Sequence, residues 1–66
     1  MSTVKVIEVL SESEKSWEDA AQSAIDKSAE SLHKIRSLYI KELEARVDNG
    51  KICQYRINAK ISFELD

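Results

Sequence analysis

The segment Lys51 to Leu65 alternates polar and apolar residues, without a break from Cys53 onward. Cys53, Tyr55, Ile57, Ala59, Ile61, Phe63 and Leu65 fall on one face, and Gln54, Arg56, Asn58, Lys60, Ser62 and Glu64 on the other, the pattern of a half-buried strand. At about 3.4 Å per residue this strand runs to roughly 45 Å. A compact domain of this length has a radius of gyration of only about 11 Å. The strand must bend, or another copy of the chain must bury its end.

The remaining elements follow from the same kind of reading. Thr3 to Leu10 is rich in β-branched residues and predicts a first strand at a sheet edge. Ser11 to Lys15 is a polar connection, and Ser16, three residues before Asp19, predicts a capped helix start. Trp17, Ala20, Ala21, Ala24, Ile25, Ser28, Leu32 and Ile35 then lay one small-residue stripe along about five helical turns, suited to close packing on a sheet. Arg36 to Val47 predicts a second strand, with Leu38 and Ile40 on one face and Tyr39, Leu43 and Val47 alternating with them. Asp48-Asn49-Gly50 is the signal for a tight hairpin, because Asn and Gly tolerate positive φ. The order is β-α-β-β, and an all-antiparallel sheet requires the long last strand at its centre. The fold class is α+β, one helix against a three-stranded antiparallel sheet, in one domain covering residues 1–66.

Composition narrows the function. A formal net charge of −2 disfavours general nucleic-acid binding, which needs a basic surface. No long apolar run predicts a membrane span or a signal segment, so a cytoplasmic location is expected. The single Cys53 cannot form an internal disulfide, and with the single His33 it falls short of a structural zinc set. A chain of this size without a staple is expected to self-associate.

Few residues could carry catalysis. His33 is expected near the helix C-terminus, where an imidazolium complements the dipole, and Cys53 on the apolar strand face as a small hydrophobe. Trp17 and Phe63 are expected in the core, while Tyr39 and Tyr55 suit a core edge or an interface. Glu8, Glu12, Glu14, Glu18, Asp19, Glu42, Glu44, Glu64 and Asp66 are mostly solvated faces, and no calcium-loop spacing is present.

The segments VKVIEVL, SEKSWEDAAQSAIDKSAESL, KIRSLYIKE and NGKICQYRINAKISFELD together resemble the dodecins over nearly the full chain. The shared features are the serine-tryptophan helix start, the β-α-β-β order and the closing alternation ending in Phe63-Glu64-Leu65. Dodecins are small non-enzymatic proteins that assemble as hollow dodecamers of cubic symmetry, and many bind and store flavins. The resemblance implies a homododecamer, a sheet wrapped around its helix, and a polar sheet face that takes part in the interior and its binding sites. It also implies a cofactor-binding role for Ser37, Tyr39 and Arg56 toward FMN or riboflavin. Ser37 stands where the flavin-binding members place a ring-stacking tryptophan, and Arg56 where they place a hydrogen-bonding glutamine. Tyr39 is the aromatic residue nearest to Ser37 on the same strand face. Stacking is worth about 1–3 kcal/mol per flat ring, so its loss costs one to two decades of affinity at about 1.4 kcal/mol each. At Ser37 and Arg56 the chain resembles the members that lack the tryptophan, some of which are calcium-containing shells without bound flavin. The resemblance does not locate metal ligands in this sequence.

Overall fold

A computed structural model describes residues 3–65; Asp66, counted above among the carboxylates, lies outside them. The elements are β1 (Val4–Ser13), α1 (Trp17–Ser28), β2 (Ile35–Asp48) and β3 (Lys51–Glu64). The sheet order is β1-β3-β2 with both pairings antiparallel, so the longest alternating segment is central as expected.

β1 runs three residues beyond the predicted end because its last inward positions are serines. Ser11 stands opposite Ile57 and Ser13 opposite Tyr55, and both hydroxyls are spent on the helix. Ser11 Oγ donates to the Ala20 carbonyl at 2.7 Å, and Ser13 Oγ donates to Asp19 Oδ2 at 2.6 Å. Ser13, only 8% exposed, also accepts from the Lys15 amide at 2.9 Å and the Ser16 amide at 3.4 Å. A buried hydroxyl is tolerated when its hydrogen bonds are made.

Ser16 caps α1 from an extended backbone, its Oγ accepting from the Asp19 amide at 2.9 Å. That satisfies one of the orphan donors of the first turn. The Asp19 carboxylate turns to Ser13 rather than back to Ser16, so half of a capping box is replaced by a tie to β1. The helix ends at Ser28, well short of the predicted Ile35. Local bonds from the amides of Ala29, Glu30, Ser31 and Leu32 to carbonyls three or four residues back close the final turn. Lys34, at φ 57°, then reverses the chain into β2. His33 therefore lies in this connection, beyond the helix C-terminus where it was expected.

The hairpin forms where Asn49 (φ 53°) and Gly50 (φ 77°) adopt left-handed conformations. Three register shifts, between Ile35 and Ser37, Ile40 and Glu42, and Arg46 and Val47, explain the irregular apolar pattern of β2. The second leaves Lys41 without a partner and places Leu43 opposite Ile57, on the face of Leu38 and Ile40 rather than that of Tyr39. The third leaves Cys53 unpaired in the ladder. Cys53 is exposed, its Sγ 3.5 Å from the Arg46 carbonyl, and is not the buried hydrophobe expected from strict alternation.

Ala20 of α1 packs with Ile57 and Ala59 of β3 at the centre of the core, and Ala24, Ile61 and Phe63 are also buried. Small helical side chains permit the close approach, and burying an isoleucine is worth about 1.5–3 kcal/mol. Phe63 is buried as expected. Trp17 is half-buried against this core, meets Tyr55 edge-on at 4.8 Å, and donates through Nε1 to the Glu44 carbonyl at 3.0 Å. β1 stops opposite Tyr55, so Lys51 to Gln54 and their β2 partners continue as a two-stranded ribbon. The long dimension reaches 50 Å and the radius of gyration 13.4 Å, above the roughly 11 Å of a compact domain.

Candidate functional site

The sheet face turned away from α1 carries every residue singled out for ligand binding. Register sets these residues in cross-strand rows, in the order β1, β3, β2: Val6, Ser62 and Ser37; Glu8, Lys60 and Tyr39; Leu10, Asn58 and Glu42; Glu12, Arg56 and Glu44. Directly opposed side chains on one face are close enough to interact. The rows therefore act as units.

At one end the hydroxyls of Ser37 and Ser62 lie 2.5 Å apart. Beside them, Arg36 is paired with Glu64. Tyr39, opposite Lys60, is 65% exposed. Lys41, displaced by its bulge, reaches Glu8 Oε2 at 3.6 Å.

At the other end Arg56 is held from both sides. Its Nε and Nη2 donate to Glu12 Oε2 at 2.8 and 2.6 Å, and its Nη1 lies 3.5 Å from Glu44 Oε1. The hydrogen bonds and charge of Glu12, helped by Glu44 and opposed by partial desolvation, raise the guanidinium pKa above its ordinary value. In the adjoining row Asn58 Nδ2 donates to Glu42 Oε1 at 3.4 Å, and Asn58 Oδ1 is buried without a partner among the described residues. Leu10, Glu42, Leu43, Glu44, Arg56 and Asn58 line an open cavity of about 260 Å³ here.

Ser37 and Arg56 thus share a face but not a site within one subunit. Their rows are centred on Ser62 and Arg56, six residues apart along β3 and therefore roughly 20 Å apart at about 3.4 Å per residue. Glu12 and Glu44 were not recognised from the sequence as partners of Arg56. Counting back from the Asp48–Lys51 pair that closes the hairpin places Leu43 opposite Arg56, and the bulge at Cys53 moves Glu44 there instead.

The residues present do not fit a flavin within one subunit. The stacking position holds a hydroxyl already bonded to Ser62, and the guanidinium at the glutamine position is occupied by two carboxylates. A calcium ion takes six to eight oxygen ligands. No group of three or more His, Cys, Asp or Glu side chains among the described residues converges to supply them in one subunit. Nor is any helix among them long and apolar enough to cross a membrane.

Comparison with known proteins gives a consistent result. The family model described as Dodecin matches residues 3–66. The calcium dodecin of Mycobacterium tuberculosis is 35% identical over 65 residues, which cover 98% of this chain and 92% of that protein. A crystal structure described as that organism's calcium chelating immunodominant antigen, calcium dodecin, with a novel calcium-binding site, superposes with a TM-score of 0.83 at 38% identity, covering 98% of this chain and 93% of the other. Dodecin from Streptomyces davaonensis superposes with a TM-score of 0.92 at 22% identity, covering 98% and 96% of the two chains, and shows the fold.

Proposed function

This chain belongs to the dodecin family, and from that premise we propose that it is a non-enzymatic binding and storage protein built as a hollow homododecamer. The whole of residues 1–66 forms one domain of that shell, in the cytoplasm. The supporting observation is the amount of apolar surface one subunit leaves in water. Val4, Val6, Leu10, Tyr39, Ile40, Leu43, Val47, Ile52 and Leu65 are all exposed; Ile40, Leu43, Val47 and Ile52 share the α1 side of the sheet and Val6, Leu10 and Tyr39 the other, and exposed apolar surface of this extent marks an interaction site. Copies of the same chain are the partners that cover it.

The stored ligand is a flavin or a cation. FMN or riboflavin, the family's ligand, would meet Ser37, Tyr39 and Arg56, with the two ends of the polar face contributed by different copies. Calcium is favoured by the relative at 35% identity, a calcium dodecin, and by the loss of a stacking ring at Ser37. Its oxygen ligands would come from more than one copy.

One preparation tests these readings together. Light scattering is expected to give twelve times the mass of the 7.5 kDa chain; the mass of a single chain would overturn the shell. Riboflavin and FMN titrations followed by fluorescence quenching test flavin storage, and a colourless protein with no quenching rejects it. Elemental analysis with melting before and after chelation tests the ion, and absence of bound metal with an unchanged midpoint rejects that reading.

A further inference from the structure

We infer that Glu12 and Glu44 are specificity determinants of the sheet face turned away from α1: by holding Arg56 between them, they set this part of the face against anionic ligands. The inference rests on the shell reading and defines the ligand class the face admits. A guanidinium offers five N–H donors and is the usual anchor for phosphate and carboxylate groups. Here Nε and Nη2 both point at Glu12, and Nη1 is turned to Glu44. Two N–H groups stay open, but an incoming anion reaches them only between the two carboxylates.

The charge of the row points the same way. Two carboxylates and one guanidinium leave one negative charge; Arg46, opposite Gln54 in the row on one side, offsets it there, while Glu42 in the row on the other side adds a second, held by the neutral amide of Asn58, so the negative excess lies on the Glu42 side. Arg56 is therefore internally neutralised, whereas the space beside it is lined by Glu42, Glu44 and the exposed Leu10. That lining suits a cation or a neutral molecule. It opposes the phosphate of FMN while leaving riboflavin, which carries the same ring without phosphate, unaffected by charge.

The pair of flavins is thus the probe. FMN and riboflavin are titrated by fluorescence quenching into the wild type, Glu12→Gln/Glu44→Gln, and the same variant with Arg56→Gln added. Freeing Arg56 is expected to lower the FMN half-quenching concentration about tenfold, since two unit charges at close range are removed. Riboflavin should not move. The gain of FMN over riboflavin should shrink as salt is raised and vanish when Arg56→Gln is added, because a glutamine there acts on the ring that both flavins share. Equal shifts for the two flavins, or no FMN shift in a double variant of wild-type particle mass, would overturn the inference. Should the double variant not assemble, Glu44→Gln alone, which keeps the Glu12 contact, is expected to give a smaller FMN-selective gain that Glu44→Asp abolishes; an unmoved FMN titration there is equally fatal. The particle mass of each sample separates loss of the shell from loss of selectivity.

Discussion

The two halves of β3 both turn apolar side chains to the α1 side of the sheet, the first half across the bulge at Cys53, and have different fates. From Ile57 to Phe63 every second residue is buried beneath α1. Tyr55 meets only Trp17 at the start of α1, and from Lys51 to Gln54 no β1 runs alongside. Ile52 and Val47, opposite each other in this ribbon, are both exposed. Periodicity therefore specifies which face is apolar, while the reach of the neighbouring layer decides whether that face is dry. In the ribbon half the missing layer has to come from another subunit, since an isolated two-stranded ribbon is marginal in water.

The strongest way to break this contrast is to open a cavity in the covered half. Ile57→Ala is expected to cost about 2–5 kcal/mol by urea denaturation, because the fully buried side chain packs against Ala20 and Ala59. At the boundary between the halves, Ser13→Ala should cost about 1–3 kcal/mol by the same measurement, as it orphans the Asp19 carboxylate and two amides. A smaller loss, about 0.5–2 kcal/mol, is expected for Ser16→Ala, with reduced helical circular dichroism as the check on where the damage falls. In the ribbon, Val47→Ser with Ile52→Ser should leave subunit stability within about 0.5 kcal/mol per site while lowering the particle mass at limiting concentration. A large drop in denaturation midpoint for that pair, without a change of mass, would erase the distinction between the halves.

The fold was legible in the sequence wherever one rule governed a segment. The alternation of β3 from Gln54 onward, the Asn49-Gly50 turn and the Ser16 cap each translate directly into geometry, and the order β-α-β-β with β3 central follows from them. Three features escaped because a second effect overrode the pattern. Ser11 and Ser13 read as a polar connection, yet they are inward strand residues whose hydroxyls bond the helix. Leu32 and Ile35 continue the helical spacing, yet the chain turns at Lys34. Bulges in β2 and at Cys53 change the pairing, which no count from the turn reveals. The polar face was therefore recognised from Arg56, Asn58 and Lys60, but its organising contact, Arg56 between Glu12 and Glu44, depends on a register that alternation alone does not supply.

The central position of β3 also governs the order in which this chain acquires structure. β1 and α1 are synthesised first, but their hydrogen-bonding and packing partners, Ile57 to Phe63, come last. β1 and α1 can bond one another through Ser11 and Ser13, but β1 has no strand to pair with until β3 is made. The local β2–β3 hairpin is the earliest long-lived contact open to it, since loop closure is least costly there. β1 and α1 then dock onto a strand already formed. Completion of the subunit thus waits on β3, and the surfaces that subunits present to one another exist only once that strand is in place.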